Sequence, residues 1–279
     1  MKTTRMYKSL FFCVIFSIFT ATLYAQHTVS DNTKFSISAG YEHVRTLDLN
    51  ASPLLYAANN GKLGIGYEKR NENGLWKAGC TVSLGSNQSQ RHGVRNAAYP
   101  NKPDIFGESD TTFYELNPGL SFLSWSLDFS RYWNLGSKSS LLGLGLSNKH
   151  FYGAIGADTW FFNHLDIKPA YRQEFSISES FQLSFELATT LLAYIVRQPY
   201  TLDPSLPLNS YLNANVRTGS SLATVNSFQN FEFSSALRRS MSNGNDVGIT
   251  YQFAWLNHKR NEGRNLGMYS NSLALSYNF

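Results

Sequence analysis

Residues 181–195 read FQLSFELATTLLAYI, and apolar and polar side chains alternate along this segment. The odd positions are mostly large and apolar: Phe181, Leu183, Phe185, Leu187, Leu191, Ala193 and Ile195. The even positions Gln182, Ser184, Glu186 and Thr190 are polar. Successive side chains of a β-strand point to opposite faces of a sheet, so this alternation predicts a strand with one apolar and one polar face.

The same period of two recurs in further segments, some of them only weakly alternating, at the spacing expected for strands of roughly ten residues, the length that a tilted strand needs to cross a bilayer. These segments are 35–41, 63–67, 76–84, 123–129, 142–146, 165–175, 231–237, 247–255 and 273–279. No helical period longer than a turn or two competes with them. We therefore predict an all-β fold of about ten antiparallel strands. Pro118 and Gly119 interrupt the stretch 111–135, so eight to twelve strands also fit.

Composition narrows the class of protein. The chain has 279 residues, of which 42% are hydrophobic. Its mean hydropathy of −0.28 excludes a bundle of membrane-spanning helices, because each helix needs about 20 nearly continuous apolar residues. Two cysteines exclude a disulfide-stapled scaffold. A globular β domain and a transmembrane β-barrel both remain, since alternating strands keep the average hydropathy of a barrel modest.

The connections between the predicted strands alternate between short and long. Tight turns rich in Gly, Asn, Ser and Asp are predicted at 71–74, 136–139, 178–180 and 243–246. The longer connections are predicted at 46–59, 87–109, 157–163, 199–223 and 259–264. This asymmetry favours a single up-and-down transmembrane barrel with short periplasmic turns and long outer loops.

The amino-terminal segment has the layout of a secretory signal peptide. Lys2, Arg5 and Lys8 precede the apolar run LFFCVIFSI at 10–18, and TLYAQ follows at 22–26. We expect cleavage after Ala25, which divides the chain into a signal peptide at 1–25 and a barrel domain at 26–279. The remaining chain would hold 21 basic and 19 acidic residues, so its charge gives no support to a nucleic-acid partner.

In this pattern the chain resembles the outer-membrane β-barrel proteins of Gram-negative bacteria, and the Ala25–Gln26 junction is similar to export signals of Bacteroidota envelope proteins. The closing segment carries Leu273, Leu275, Tyr277 and Phe279 and resembles the signal that the barrel-assembly machinery of such bacteria reads. The resemblance implies Sec-type export to the bacterial outer membrane. It also implies outer-membrane lipid and, during biogenesis, the assembly machinery as partners. A secreted β-sandwich or propeller is the competing interpretation.

If the apolar face meets lipid, the charged residues of the other face lie in the lumen. By parity they are Glu42, Glu68, Lys77, Asp128, Asp166, Lys168, Arg172, Glu174, Glu186, Glu232 and Arg238. A barrel of about ten strands is narrow and is largely filled by side chains, so these charges should pair across strands and block the lumen. A charged pathway for a small solute is the alternative. Wide-pore diffusion would need roughly 16 strands.

Catalytic residues are harder to assign. His150, His164 and Asp166 are weak candidates for a lipid or peptide hydrolase, with Ser147 or Ser227 as a conceivable nucleophile. No motif supports them, and no His, Asp or Glu cluster has metal-ligand spacing. We therefore assign no catalytic residue and expect no metal or cofactor.

Two further sets of residues bear on function. Trp76, Tyr132 and Trp133 lie beside predicted periplasmic turns, and Tyr152, Trp160, Phe161 and Phe162 lie near an outer loop, as interfacial aromatic girdles would require.

Segment 199–223, with Tyr200, Leu206 and Tyr211, is apolar for an exposed loop and could cover the lumen or dock another envelope protein. By elimination, the sequence favours a non-enzymatic scaffold or accessory subunit of an outer-membrane assembly or transport complex.

Overall fold

The computed structural model describes residues 33–49, 55–89, 95–100, 111–116, 120–155, 158–197, 219–259 and 265–279. The predicted signal peptide at 1–25 and the loop residues Tyr200, Leu206 and Tyr211 lie outside these ranges. The strands are β1 (Thr33–Asp48), β2 (Leu55–Asn71), β3 (Gly74–Ser89), β4 (Arg95–Pro100), β5 (Thr111–Leu116), β6 (Leu120–Leu135), β7 (Ser137–Ile155), β8 (Asp158–Ser176), β9 (Phe181–Thr189), β10 (Leu192–Arg197), β11 (Ser220–Thr224), β12 (Phe228–Ser240), β13 (Asp246–His258) and β14 (Leu266–Asn278).

Ten of these strands close into a barrel. Their order around the ring is β8-β7-β6-β3-β2-β1-β14-β13-β12-β9, and β9 pairs again with β8. Every pairing is antiparallel, so the predicted fold of about ten antiparallel strands is confirmed. The first and last strands meet where Phe35 and Phe279 exchange backbone hydrogen bonds of 2.9 and 2.8 Å. Closure removes the open sheet edge that would otherwise leave backbone groups unpaired.

The remaining strands lie outside this ring order. β4 and β5 form a separate two-stranded hairpin between β3 and β6. β10 continues β9 along the outer part of β8, and β11 pairs with β10 before the turn at 225–227 leads into β12.

A one-residue irregularity separates β9 from β10 and corrects the sequence analysis. Pairing with β8 runs to Ala170↔Ala188 and resumes at Ile167↔Leu192 with the register displaced by one residue. Such a bulge reverses which face each later side chain occupies. Ala193 and Ile195 are therefore 1% and 0% exposed in the interior, whereas the alternation placed them on the outer face with Phe185.

The strands are longer at the long-loop end of the barrel than the sequence predicts. β7 and β8 have 19 residues each and pair as far as Ile155↔Asp158, so the predicted long loop at 157–163 is wrong. β1 and β2 likewise pair to Leu47↔Leu55, inside the predicted loop 46–59. At the opposite, short-turn end, Gly136 and Gly244 adopt φ values of 73° and 85° in two of the predicted tight turns, which favour glycine.

The barrel wall has an apolar outer face and a mixed inner face. Large hydrophobic side chains such as Leu63, Leu127, Leu144 and Ile249 are exposed on the outside, and Leu275 reaches 61% exposure. The alternate positions of the same strands are mostly buried or half-buried and polar or small. Among the described residues, no helix is long and apolar enough to cross a membrane.

Candidate functional site in the barrel lumen

The part of the lumen nearest the short turns holds a network that we call the arginine–glutamate cluster: Glu68, Arg70, Lys77, Arg172, Glu174, Glu186 and Arg238. Arg172 lies at its centre, with guanidinium nitrogens 2.8 Å from Glu174, 3.4 Å from Glu186 and 3.7 Å from Glu68. These carboxylates come from β2, β8 and β9, so one buried cation on β8 joins three strands of the wall.

Other pairs of this cluster also span the interior. Arg238 of β12 donates two hydrogen bonds to the Glu68 carboxylate of β2, at 2.7 and 2.9 Å. Lys77 of β3 donates to Glu186 of β9 at 2.6 Å. In the ring order, at least three strands lie between the two strands of each pair. These ion pairs therefore cross the lumen and do not join neighbouring strands. Paired and hydrogen-bonded in this way, the charges avoid the cost of isolated burial.

The middle of the lumen holds a second group, the lysine cluster: Lys62, Lys149, Lys168, Glu42, Asp128 and Glu232. Glu232 accepts hydrogen bonds from Lys149 at 2.6 Å and from Lys168 at 3.0 and 3.1 Å. The Lys62 ammonium lies 3.7 Å from Glu42 and donates to Gln252 at 2.8 Å. This layer therefore combines lysine point charges with side-chain amide and hydroxyl partners.

A cavity of about 350 Å³ lies in the lumen beside both clusters and extends to apolar residues such as Val44 and Phe151. Its wall includes residues of both clusters and a series of hydroxyl side chains from β3, β6 and β14, namely Thr81, Ser83, Ser124, Ser126 and Ser272. The interior is thus largely filled with side chains but retains a space with a mixed polar and apolar wall, large enough for several water molecules.

The long-loop end of the lumen contains most of the buried apolar side chains. A set of buried side chains that we call the aromatic plug fills it: Val44, Phe122, Phe151, Trp160, Phe162, Ile195, Phe228, Leu256, Leu266 and Met268. Ring centroids lie 6.5 Å apart for Phe122 and Trp160 and 5.9 Å apart for Phe151 and Phe162. The members come from β1, β6, β7, β8, β10, β12, β13 and β14, so the cluster joins most strands of the ring.

A polar contact crosses the barrel at the same level. Arg197, 1% exposed at the end of β10, forms an ion pair with Asp48 at the end of β1. The indole Nε1 of Trp160 on β8 donates to the same carboxylate at 2.7 Å. Four ring strands lie between β1 and β8 in either direction, so this Asp48–Arg197 latch joins opposite walls.

The weak catalytic candidates do not form one site. His164 is buried with its ring centroid 5.1 Å from that of Phe228, and its Nδ1 lies 3.5 Å from Asp166. Asp166 accepts a hydrogen bond from Asn230 at 3.1 Å. His150 points to the outer face and stacks on Trp125 at 3.8 Å between ring centroids, so it does not share a site with His164.

The serines considered as nucleophiles are committed elsewhere. Ser147 donates to Asp128 at 2.6 Å, and Ser227 lies in the turn before β12, where it donates to the Thr224 carbonyl. Within the described parts of the chain, no group of three or more His, Cys, Asp or Glu residues could hold a metal ion. The geometry therefore places His164 and Asp166 in the plug region, where the hydroxyl that contacts Asp166 belongs to Thr190, a side chain only 1% exposed.

Several aromatic residues that the sequence suggests for interfacial girdles point inward instead. Tyr132, Trp160 and Phe162 are buried in the lumen. Trp76 and Trp133 at the short-turn end, and Tyr152 at the long-loop end, are exposed on the outer face.

The lumen also contains charges that the sequence analysis omits. Lys62 and Lys149 have inward parity relative to the apolar positions of their own strands, so alternation could have found them. Asp48 lies in a segment predicted as a loop, and the bulge before β10 reverses the parity of Arg197. No local pattern signals this pair.

The proposed assembly-signal residues lie on the closing strand. Leu273, Leu275 and Tyr277 face outward and are exposed, and Phe279 pairs with Phe35 through the backbone.

No protein-family model matches the chain, and no curated protein matches its sequence. Solved structures similar to it include the outer membrane protease OmpT from Escherichia coli, with TM-score 0.49, 11% identity, and coverage of 90% of this chain and 98% of that one. An outer membrane channel from Pseudomonas putida F1 gives TM-score 0.41 and 8% identity, covering 90% and 97%. The β domain of the Bordetella autotransporter BrkA gives 0.40 and 10%, covering 88% and 98%. Likeness at this level selects no function, because unrelated functions share one fold.

Proposed function

We propose that the protein is an integral outer-membrane barrel with a closed, charged lumen, acting as a non-enzymatic scaffold or accessory subunit of an outer-membrane assembly or transport complex. The observation that carries this proposal is the aromatic plug with the Asp48–Arg197 latch across it. A barrel closed from wall to wall at one end offers its loops and outer surface, rather than its interior, to other molecules.

The membrane location is supported by the outer face. Exposed Leu, Ile and aromatic side chains cover the outside of the strands, far beyond the isolated apolar residues that a water-soluble surface carries. Their alternation with lumen-facing charges is the arrangement of transmembrane barrels. Sec-type export with cleavage after Ala25 would bring the chain to the outer membrane. Leu273, Leu275, Tyr277 and Phe279 would then serve as its assembly signal.

The scaffold role is tested by recovering the full chain from gently solubilised membranes. We expect a stoichiometric envelope-protein companion, and replacing Tyr200, Leu206 and Tyr211 together by Ser should release it if segment 199–223 is the docking surface. Recovery of the barrel alone, at every detergent concentration that keeps it folded, would contradict the accessory-subunit role.

A narrow solute channel is the second candidate, and the lumen cavity of about 350 Å³ is the observation that favours it. Planar-bilayer recording separates the two functions. A lumen closed by the plug and latch should give no discrete conductance steps, whereas reproducible steps from the folded wild-type protein would favour the channel.

A hydrolase is the third candidate because His164 and Asp166 lie together. Lipid or peptide turnover by the purified barrel that disappears in His164→Ala would support it and overturn the scaffold proposal. We expect no turnover that depends on this histidine, since Ser147 donates its hydroxyl to Asp128 and the Thr190 hydroxyl beside Asp166 is buried away from any substrate.

A further inference from the structure

Arg131, a cation on the outer face, forms no ion pair with any residue of the described ranges. Arg131 on β6 lies between exposed apolar residues, with its guanidinium carbon 4.6 Å from the Trp76 ring centroid and 5.9 Å from that of Trp133. Its Nη1 is screened from solvent and has no hydrogen-bond partner among the described residues. A guanidinium held between two indoles on an apolar surface lacks the acceptor that would offset its desolvation.

A shallow groove surrounds this guanidinium. Glu72, Asn73, Arg131, Trp133 and Asn134 line it at the short-turn end of the barrel. The Asn134 amide donates to the Glu72 carbonyl at 2.7 Å, which fixes the turn against β6. No ion pair within 4.0 Å joins Glu72 to Arg131 in the described structure, so the groove presents a cation and an anion at separate places.

The two charges lie at different depths along the strand. Glu72 is in the turn between β2 and β3, and Trp133 pairs with Gly74 immediately after that turn. Arg131 is two residues further from the turn, which is about 7 Å along a strand. Arg131 therefore lies toward the apolar band of the barrel, and Glu72 lies at its rim.

We propose that this groove binds the headgroup of an ethanolamine phospholipid, with the phosphodiester on Arg131 and the primary ammonium on Glu72. In a bilayer leaflet the phosphate lies nearer the acyl chains than the terminal ammonium does, and the groove presents its charges in the same order. A guanidinium is well suited to phosphate oxygens, and the flanking indoles suit the membrane interface. Lys69 on β2 is exposed and pairs with Trp76 on β3. It therefore adds positive charge at the depth of the phosphate.

This inference rests on the proposed membrane location, and native mass spectrometry of the detergent-solubilised full chain tests it. With equal amounts of phosphatidylethanolamine and phosphatidylglycerol, the wild type should retain the ethanolamine lipid preferentially. Arg131→Gln should lower retention of both lipids by about tenfold or more. Glu72→Gln should reduce retention of the ethanolamine lipid to that of phosphatidylglycerol. Arg131→Lys, which keeps the charge but loses the planar fork, should weaken retention severalfold and replaces the Gln variant if that variant does not fold.

Arg239→Gln is the matched control, because Arg239 is also an outward cation over an aromatic ring at the short-turn end, 5.6 Å from the Phe181 centroid. It should leave retention unchanged. Equal loss in the Arg131 and Arg239 variants, or preference of the wild type for phosphatidylglycerol, would overturn the site. Full competition by water-soluble glycerophosphoethanolamine would overturn a membrane lipid as the source. A protein that stays monodisperse without detergent would instead refute the membrane location itself.

Discussion

The two ends of the lumen are filled by different chemistry. Toward the long loops, the aromatic plug fills the lumen with packed apolar side chains, and one ion pair, the Asp48–Arg197 latch, crosses it. Toward the short turns, the arginine–glutamate cluster spans the same ring of strands with paired charges around Arg172. A barrel of this width can thus be filled either by apolar volume or by charge pairing. The two solutions should respond differently to substitution.

The charged end should show the largest single effect. Arg172→Gln leaves the carboxylates of Glu68, Glu174 and Glu186 without their shared cation, and breaking a buried pair in this way costs about 3–5 kcal/mol. The free energy of unfolding from urea titration in lipid vesicles should fall by this amount. The exposed outward Arg239→Gln serves as control and should change it by less than about 0.5 kcal/mol. A loss below about 1 kcal/mol in Arg172→Gln would show that the cluster does not hold this end together.

At the apolar end, removing a buried side chain should lower the free energy of unfolding because it leaves a cavity. Phe228→Ala empties a fully buried ring position in the plug and should cost about 3 kcal/mol. Because it opens space where the lumen is closed, it should also raise the frequency of ion-conducting events in planar bilayers. Phe231→Ala, on the outer face of the same strand, is the matched control for loss of a ring. If neither variant conducts ions in planar bilayers, the plug is not the barrier to ion passage.

Sequence alone predicts the regular part of this barrel well. Alternation identifies all ten ring strands, because the outer face of each is mostly apolar, and it predicts inward positions for Glu68, Arg172 and Glu232. It fails at the Thr190–Leu191 bulge, where one extra residue reverses the faces of Ala193 and Ile195 without any change in residue type. It also fails for Asp48 and Arg197, which are 149 residues apart in sequence and meet only because the ring closes.

Removing both charges of the latch together should change the free energy of unfolding least among these lumen variants. Asp48→Asn combined with Arg197→Gln replaces an ion pair by neutral hydrogen-bonding groups, which is often close to neutral and should cost about 1 kcal/mol. Asp48→Asn alone should cost more than the pair, since it leaves the guanidinium buried without its counter-charge. A double-mutant cycle on unfolding free energies measures the difference. Strict additivity of the two single changes would mean that the latch is not a coupled contact.

The assignment of faces to lipid and lumen underlies all of these expectations. Spin labels at Leu275 and Tyr194 on the outer face, and at Ser272 and Ile195 on the inner face, test it in vesicles containing the Cys80→Ala protein. Oxygen dissolved in the bilayer should relax the Leu275 and Tyr194 labels more strongly than a water-soluble nickel chelate does, and the Ser272 and Ile195 labels should show no such preference. Preference for the chelate at Leu275 and Tyr194 would contradict the membrane barrel, its closed lumen and the proposed role together.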